Sequence, residues 1–217
     1  MTVLPALLAL LRPRLDRPTH DWLHVTIDET VAPFDARAFR NAWSRVGQRL
    51  GSHAVTPTLE EVAQLQAVGL WPFVGWGADE CGRAALLIQA MLVTPPDAQG
   101  PLLDSLYLRG TIRERQALLR TLAFLPEPER FVEVAEQASR TLVVSVFEAL
   151  AVGNPYAVRH LSRARFDQVV LRALSLRISP EHIVGLPERL ASDVSRPRAP
   201  AGPRWGPEAT RVALRAP

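Results

Sequence analysis

The sequence predicts an all-α fold of stacked helical hairpins, an α-solenoid of the HEAT-like type. Three observations carry that expectation. Apolar residues recur at steps of three and four in one segment after another. The segments open on side chains that cap helices and close on glycine or proline. A shift of 52 positions also aligns Gln116, Leu119, Arg120, Leu122, Pro128, Glu129 and Val132 with identical residues at 168, 171, 172, 174, 180, 181 and 184. A reused helix, proline turn and helix cannot bury its apolar face alone, so such units stack.

The elements follow in order. Phe39, Trp43, Val46 and Leu50 form one helical stripe, closed by Gly51. Thr58 with Glu61 makes a capping box for the next helix, which Gly69 ends. Asp79 is placed to cap a helix through Ala84, Leu87, Ile88 and Met91, stopped by Pro95 and Pro96. Leu102 to Leu108 is apolar and ends at Gly110, and Thr111 with Glu114 caps a segment carrying Leu118, Leu119, Leu122 and Leu125. Pro126 and Pro128 open the stretch with Phe131, Val132, Val134 and Ala135. Leu142, Val146, Phe147 and Leu150 suit a helix, and Ser162 opens another through Phe166, Val169, Val170 and Leu174. Val25 and Ile27 alternate as in a strand, but two positions do not make one. The helical domain is expected over residues 1–194, with a flexible Pro/Arg-rich tail at 195–217.

Composition excludes several chemistries. All 25 basic residues among the 217 are arginine. Without lysine there is no Schiff base, pyridoxal-phosphate anchor or P-loop lysine. The single cysteine, Cys81, rules out intrachain disulfides and thiolate-held clusters. The net charge of +3 belongs to the tail: residues 1–188 hold 19 arginines against 20 acids, and residues 189–217 hold six against two. A near-neutral domain without a basic stripe does not predict nucleic-acid binding. The N-terminal run MTVLPALLALLRPRLD is a poor signal peptide and too short to span a bilayer. A cytoplasmic protein is expected.

Four stretches carry residue types suited to chemistry. His20 and His24 flank Asp21 in the i, i+4 layout of a zinc-protease helix. Two solvent-facing histidines beside a core Trp22–Leu23 pair are the favoured account, and no metal or cofactor is assigned. Gly69–Gly77 (GLWPFVGWG) reads as an aromatic loop, rigid or ligand-stacking, without dinucleotide-binding spacing. Cys81 has no cationic neighbour in sequence and no nucleophile elbow is present. The most informative stretch is Glu148–Arg159, where a helix ends near Gly153 and Asn154-Pro155 forces a break before Tyr156. A ligand- or partner-binding surface is expected at Arg140, Glu148, Asn154, Tyr156 and Gln168. Arginine offers a bidentate hold on carboxylate or phosphate, and the turn offers donors, acceptors and an aromatic face. The competing account has these five residues tying the turn together, with Arg140 paired to Glu136 one turn back.

Several runs resemble the EboA-domain family. They are Tyr107–Arg115 continued by Leu118-Leu119-Arg120, Trp76 with Asp79 and Arg83–Leu87, and Arg140 through Phe147-Glu148-Ala149 to Asn154-Pro155-Tyr156. Gln168, Val170–Leu174 and Ile183–Leu186 fit the same pattern, so the resemblance covers about residues 36 to 190. Asp167, Arg172 and Leu161 depart from it, standing where asparagine, lysine and an aromatic are expected. The resemblance implies a small helical protein from gene clusters that also encode a membrane prenyltransferase and hydrolase- or isomerase-like enzymes. Such clusters make or export a secondary metabolite. The expected function is therefore a non-catalytic adaptor or scaffold whose partners are proteins of the same cluster. The alternative is a carrier or enzyme for a small apolar, prenyl-type metabolite. An enclosed apolar pocket favours the second and an open polar groove the first.

Overall fold

In the computed structural model, residues 2–29, 34–70, 73 and 75–187 are described. They form α1 (Val3–Leu11), α2 (Arg17–Glu29), α3 (Ala36–Leu50), α4 (Leu59–Ala67), α5 (Ala78–Val93), α6 (Pro96–Arg109), α7 (Ile112–Thr121), α8 (Val132–Ser139), α9 (Val144–Ala151), α10 (Tyr156–His160) and α11 (Arg163–Ser175). Short 3-10 turns complete the set, two of them opening on Pro128 and Pro180. No strand occurs among the described residues, and the fold is all-α. Val25 and Ile27 lie within α2, Val25 facing solvent and Ile27 the core.

Helix α5 is the hub. Thirteen of its residues are buried, from Ala78 to Met91, so it has no solvent face to speak of. A helix apolar nearly all round must be covered on every side, and α1, α2, α3 and α7 all pack on it. From α5 onward the odd helices lie side by side, α7 on α5, α9 on α7 and α11 on α9. On the N-terminal side α1, α2 and α3 all pack on α5, α2 also touches α3, and α4 packs on α1. The two 52-residue repeats do share their local form: each is a helix followed by a turn with proline first (Pro128, Pro180).

The caps stand where spacing put them. Thr58–Glu61 and Thr111–Glu114 both form reciprocal capping boxes, Ser162 accepts from the Arg165 N–H, and Gly51 closes α3 at φ 70°. Asp79 differs. The N-cap of α5 is Gly77, whose N–H donates to Glu80 Oε2 at 2.7 Å. Asp79 lies within the first turn, its carboxylate drawn away by arginines. Leu142 likewise stands outside α9, fully exposed, because the helix starts two residues later. Phe73 and Trp76 of the aromatic loop are buried and stack at 5.1 Å.

The described helices through Leu186 form one compact unit. The expected boundary at residue 194 and the tail beyond it lie outside the described residues.

Arg14 braces the N-terminal helices. Its guanidinium donates to both oxygens of Glu61 at 2.7 Å and to the Thr56 carbonyl at 2.8 Å. That arginine holds the Glu61 carboxyl down from 4.5 to about 2. A lowered folded value stabilises the fold fully above the ordinary carboxylate range, and the contribution fades as pH falls towards 2. Glu61→Gln is expected to cost about 1.5–3 kcal/mol at pH 7. In urea melts from about pH 6 to about pH 2, the gap between wild type and variant should close as the acid end is approached.

Candidate functional site

Asp79 and Glu80 are consecutive carboxylates on the first turn of α5, and both are buried. Three arginines meet them. Arg113 of α7 grips Asp79 with both arms, Nε to Oδ2 at 3.2 Å and Nη2 to Oδ1. Arg83, one turn along α5, gives Nη1 to Asp79 Oδ2 at 2.7 Å and Nε to the Trp43 carbonyl at 3.1 Å. Arg120 gives Nη1 to Glu80 Oε1. The carboxylates also lie at the positive end of the helix dipole. Backbone groups around them are matched: the Ala78 and Asp79 N–H groups donate to the His53 and Gly51 carbonyls, each at 3.0 Å. Burial nevertheless pushes the Glu80 carboxyl above its ordinary value, against the pull of Arg120 and the Gly77 N–H.

Two glycines make room for this network. A Cβ on Gly47 would sit 2.6 Å from Arg83 Nη2, and one on Gly77 would sit 2.6 Å from Arg113 Nη2. On the Asp79 side the network floors an open groove of about 650 Å³, lined among others by Ser44, Gln48, Arg83, Arg109, Arg113 and Glu114. The Arg109 side chain is exposed and has no hydrogen bond or ion pair among the described residues. The Arg113 side chain is 41% exposed. The groove thus offers arginine N–H donors and serine hydroxyls, and its arginines outnumber its carboxylates. Such a lining is chemically suited to anionic groups, and no histidine is among its lining residues.

The five residues expected from the sequence fall in three places. Asn154 and Tyr156 are buried and bonded inward. Asn154 Nδ2 donates to the Leu119 and Ala149 carbonyls at 2.9 and 2.8 Å, and its Oδ1 accepts from the Tyr156 N–H at 2.9 Å. The Tyr156 hydroxyl donates to the Pro128 carbonyl at 2.7 Å, and burial raises its pKa. Arg140 and Gln168 lie on the outer face of α8 and α11, linked through two intermediaries. Arg140 pairs with Glu136 at 3.9 Å, Arg165 with Glu136 at 3.3 Å, and Arg165 donates to Gln168 Oε1 at 3.1 Å. Glu148 stands apart from both groups, in a cleft of about 420 Å³ with Arg120, Arg177 and His182.

His20 and His24 have ring centroids 4.4 Å apart. Among the described residues no three His, Cys, Asp or Glu side chains gather as a metal site. Cys81 is wholly enclosed, and burial pushes its thiol far up, leaving no thiolate for attack.

Spacing alone did not single out the ion network. Its traces are there: two adjacent acids, an i, i+4 Asp79–Arg83 pair, and glycines at 47 and 77. Asp79→Ala strands two arginines and is expected to lose about 3–5 kcal/mol in denaturant unfolding. Asn154→Ala should cost about 2–3 kcal/mol and Tyr156→Phe about 1 kcal/mol by the same measurement.

The profile of the family described as "Metabolite traffic protein EboA" matches residues 3–205. No curated protein and no solved structure matches the chain. The family match spans every helix described above and the segments that meet at Asp79 and Glu80, and the chain belongs to the EboA family.

Proposed function

We propose that the chain is a non-catalytic adaptor or scaffold in the traffic of a metabolite, acting in the cytoplasm on proteins encoded in the same gene cluster. The observation that carries this reading is the form of the groove over Asp79. It is open, and it presents exposed Arg109 and half-exposed Arg113 beside small polar side chains. Pockets for apolar small molecules are enclosed and mostly apolar; this groove suits an acidic stretch of a partner protein. The family's description as a metabolite traffic protein agrees with a transfer role. The row formed by α5, α7, α9 and α11 supports reading this half as a short solenoid, a form that presents extended docking faces. In this reading Arg140 and Gln168 form a second, outer contact surface. Asn154 and Tyr156 hold the turn between α9 and α10 rigid beneath it.

The test is native mass spectrometry of the chain produced together with the proteins of its gene neighbourhood. A stoichiometric protein complex, weakened about tenfold or more by Arg109→Glu, is the expected result. A chain that binds none of them and carries an apolar metabolite through purification would replace the adaptor with the carrier.

A further inference from the structure

We propose that the cleft beside α9, on the Glu80 side of the ion network, binds a small zwitterion bearing both a carboxylate and an ammonium group. The cleft is bounded by Gly75, Arg120 near the end of α7, Glu148 and Val152 at α9, and the turn Leu176–His182. Its volume of about 420 Å³ fits a small polar molecule. It is separate from the proposed docking groove and shares none of that groove's lining residues.

Three charged side chains converge there, two without a partner among the described residues and one, Arg120, with a donor to spare. Glu148 is half-buried, and its carboxylate makes no hydrogen bond or ion pair among the described residues. A carboxylate in such a place is ordinarily paired, because partial burial without a partner is unfavourable. Arg120 has one partner, Glu80, on Nη1. Its Nε–H is enclosed and has no acceptor. Gly75 holds the loop close to this arginine: a Cβ there would be 3.3 Å from Nη2.

Arg177 is the third. The Ile178 N–H donates to the Ala173 carbonyl and the Arg177 N–H to the Leu174 carbonyl, both at 3.0 Å. That is the Schellman ending of a helix, and its left-handed position normally belongs to glycine. Here arginine occupies it at φ 61°. The side chain is exposed at the cleft and has no partner among the described residues. An L-residue is held in a disfavoured conformation, and what it contributes is a guanidinium beside the cleft.

The signs select the ligand. A simple anion meets Arg120 and Arg177 but also Glu148, and a simple cation meets the reverse conflict. A zwitterion answers both, its carboxylate on the arginines and its ammonium on Glu148. Val152, Leu176 and Ile178 supply apolar wall for the carbons between.

The probes are the five straight-chain amino acids from glycine through β-alanine, γ-aminobutyrate and 5-aminopentanoate to 6-aminohexanoate, titrated calorimetrically into the full chain. At least one should saturate in the micromolar to low-millimolar range. Alkyl carboxylates and alkylamines of matching length should bind about tenfold weaker or worse. Glu148→Gln and Arg177→Asn should each weaken the best probe by a similar factor, asparagine tolerating the left-handed position. Neither side chain has a partner among the described residues, so both variants should melt with the wild type. If none of the five saturates below about 10 mM, or if both variants bind as the wild type does, the proposal fails. The two sites separate cleanly: Arg109→Glu should leave probe binding intact, and Glu148→Gln should leave the partner complex intact.

Discussion

Two carboxylates stand side by side on the first turn of α5, closed off from water, and the rest of the domain is arranged to make that tolerable. Removing a carboxylate from solvent costs several kcal/mol even after relaxation, and a single arginine seldom offsets it. Asp79 receives a two-armed grip from Arg113 and a third bond from Arg83, while Glu80 takes Arg120 and the Gly77 N–H. The positive end of the α5 dipole adds to the balance. Because α5 is also the hub on which α1, α2, α3 and α7 pack, the network fixes where its first turn sits relative to α3 and α7. Arg83 reaches the α3 backbone at Trp43, and Arg113 and Arg120 arrive from α7. Deleting any member leaves an opposite charge stranded, so the network acts as a unit.

The same pair divides the surface. Asp79 looks to the groove with Arg83 and Arg113; Glu80 looks through Arg120 to the cleft with Glu148 and Arg177. Adjacent residues on a helix point about 100° apart, which lets one buried turn anchor arginines on two recesses.

An arginine-only set of cations suits this architecture. Elsewhere too the guanidinium serves carbonyls at helix ends: Arg115 donates to Gly110 and Leu108 past α6, and Arg172 donates to Ser139 and Thr141 past α8. A planar fork with five donors can bind two carbonyls at once while its face lies on a ring, as Arg172 does over Phe147 at 4.5 Å. An ammonium group, a compact charge on a flexible stem, lacks that flat, pre-set fork.

What the sequence determined by itself was local. The capping boxes at Thr58–Glu61 and Thr111–Glu114, the Ser162 cap and the Gly51 stop link residues one to four apart, and so does each helical stripe. Those relations survive any tertiary arrangement, and they sufficed for the all-α fold. The Arg140–Glu136 pair was legible for the same reason, being one helical turn. Only the tertiary structure decided which arginines reach the two buried carboxylates from another helix. Arg113 reaches Asp79 across 34 positions and Arg120 reaches Glu80 across 40. No spacing rule marks such pairs, because loop and helix packing set them. It likewise separated five residues that sequence had grouped. Asn154 and Tyr156 turned inward because a break after a buried helix leaves backbone carbonyls that need donors. Glu148, from the same stretch, was left facing a cleft that the turn after α11 completes.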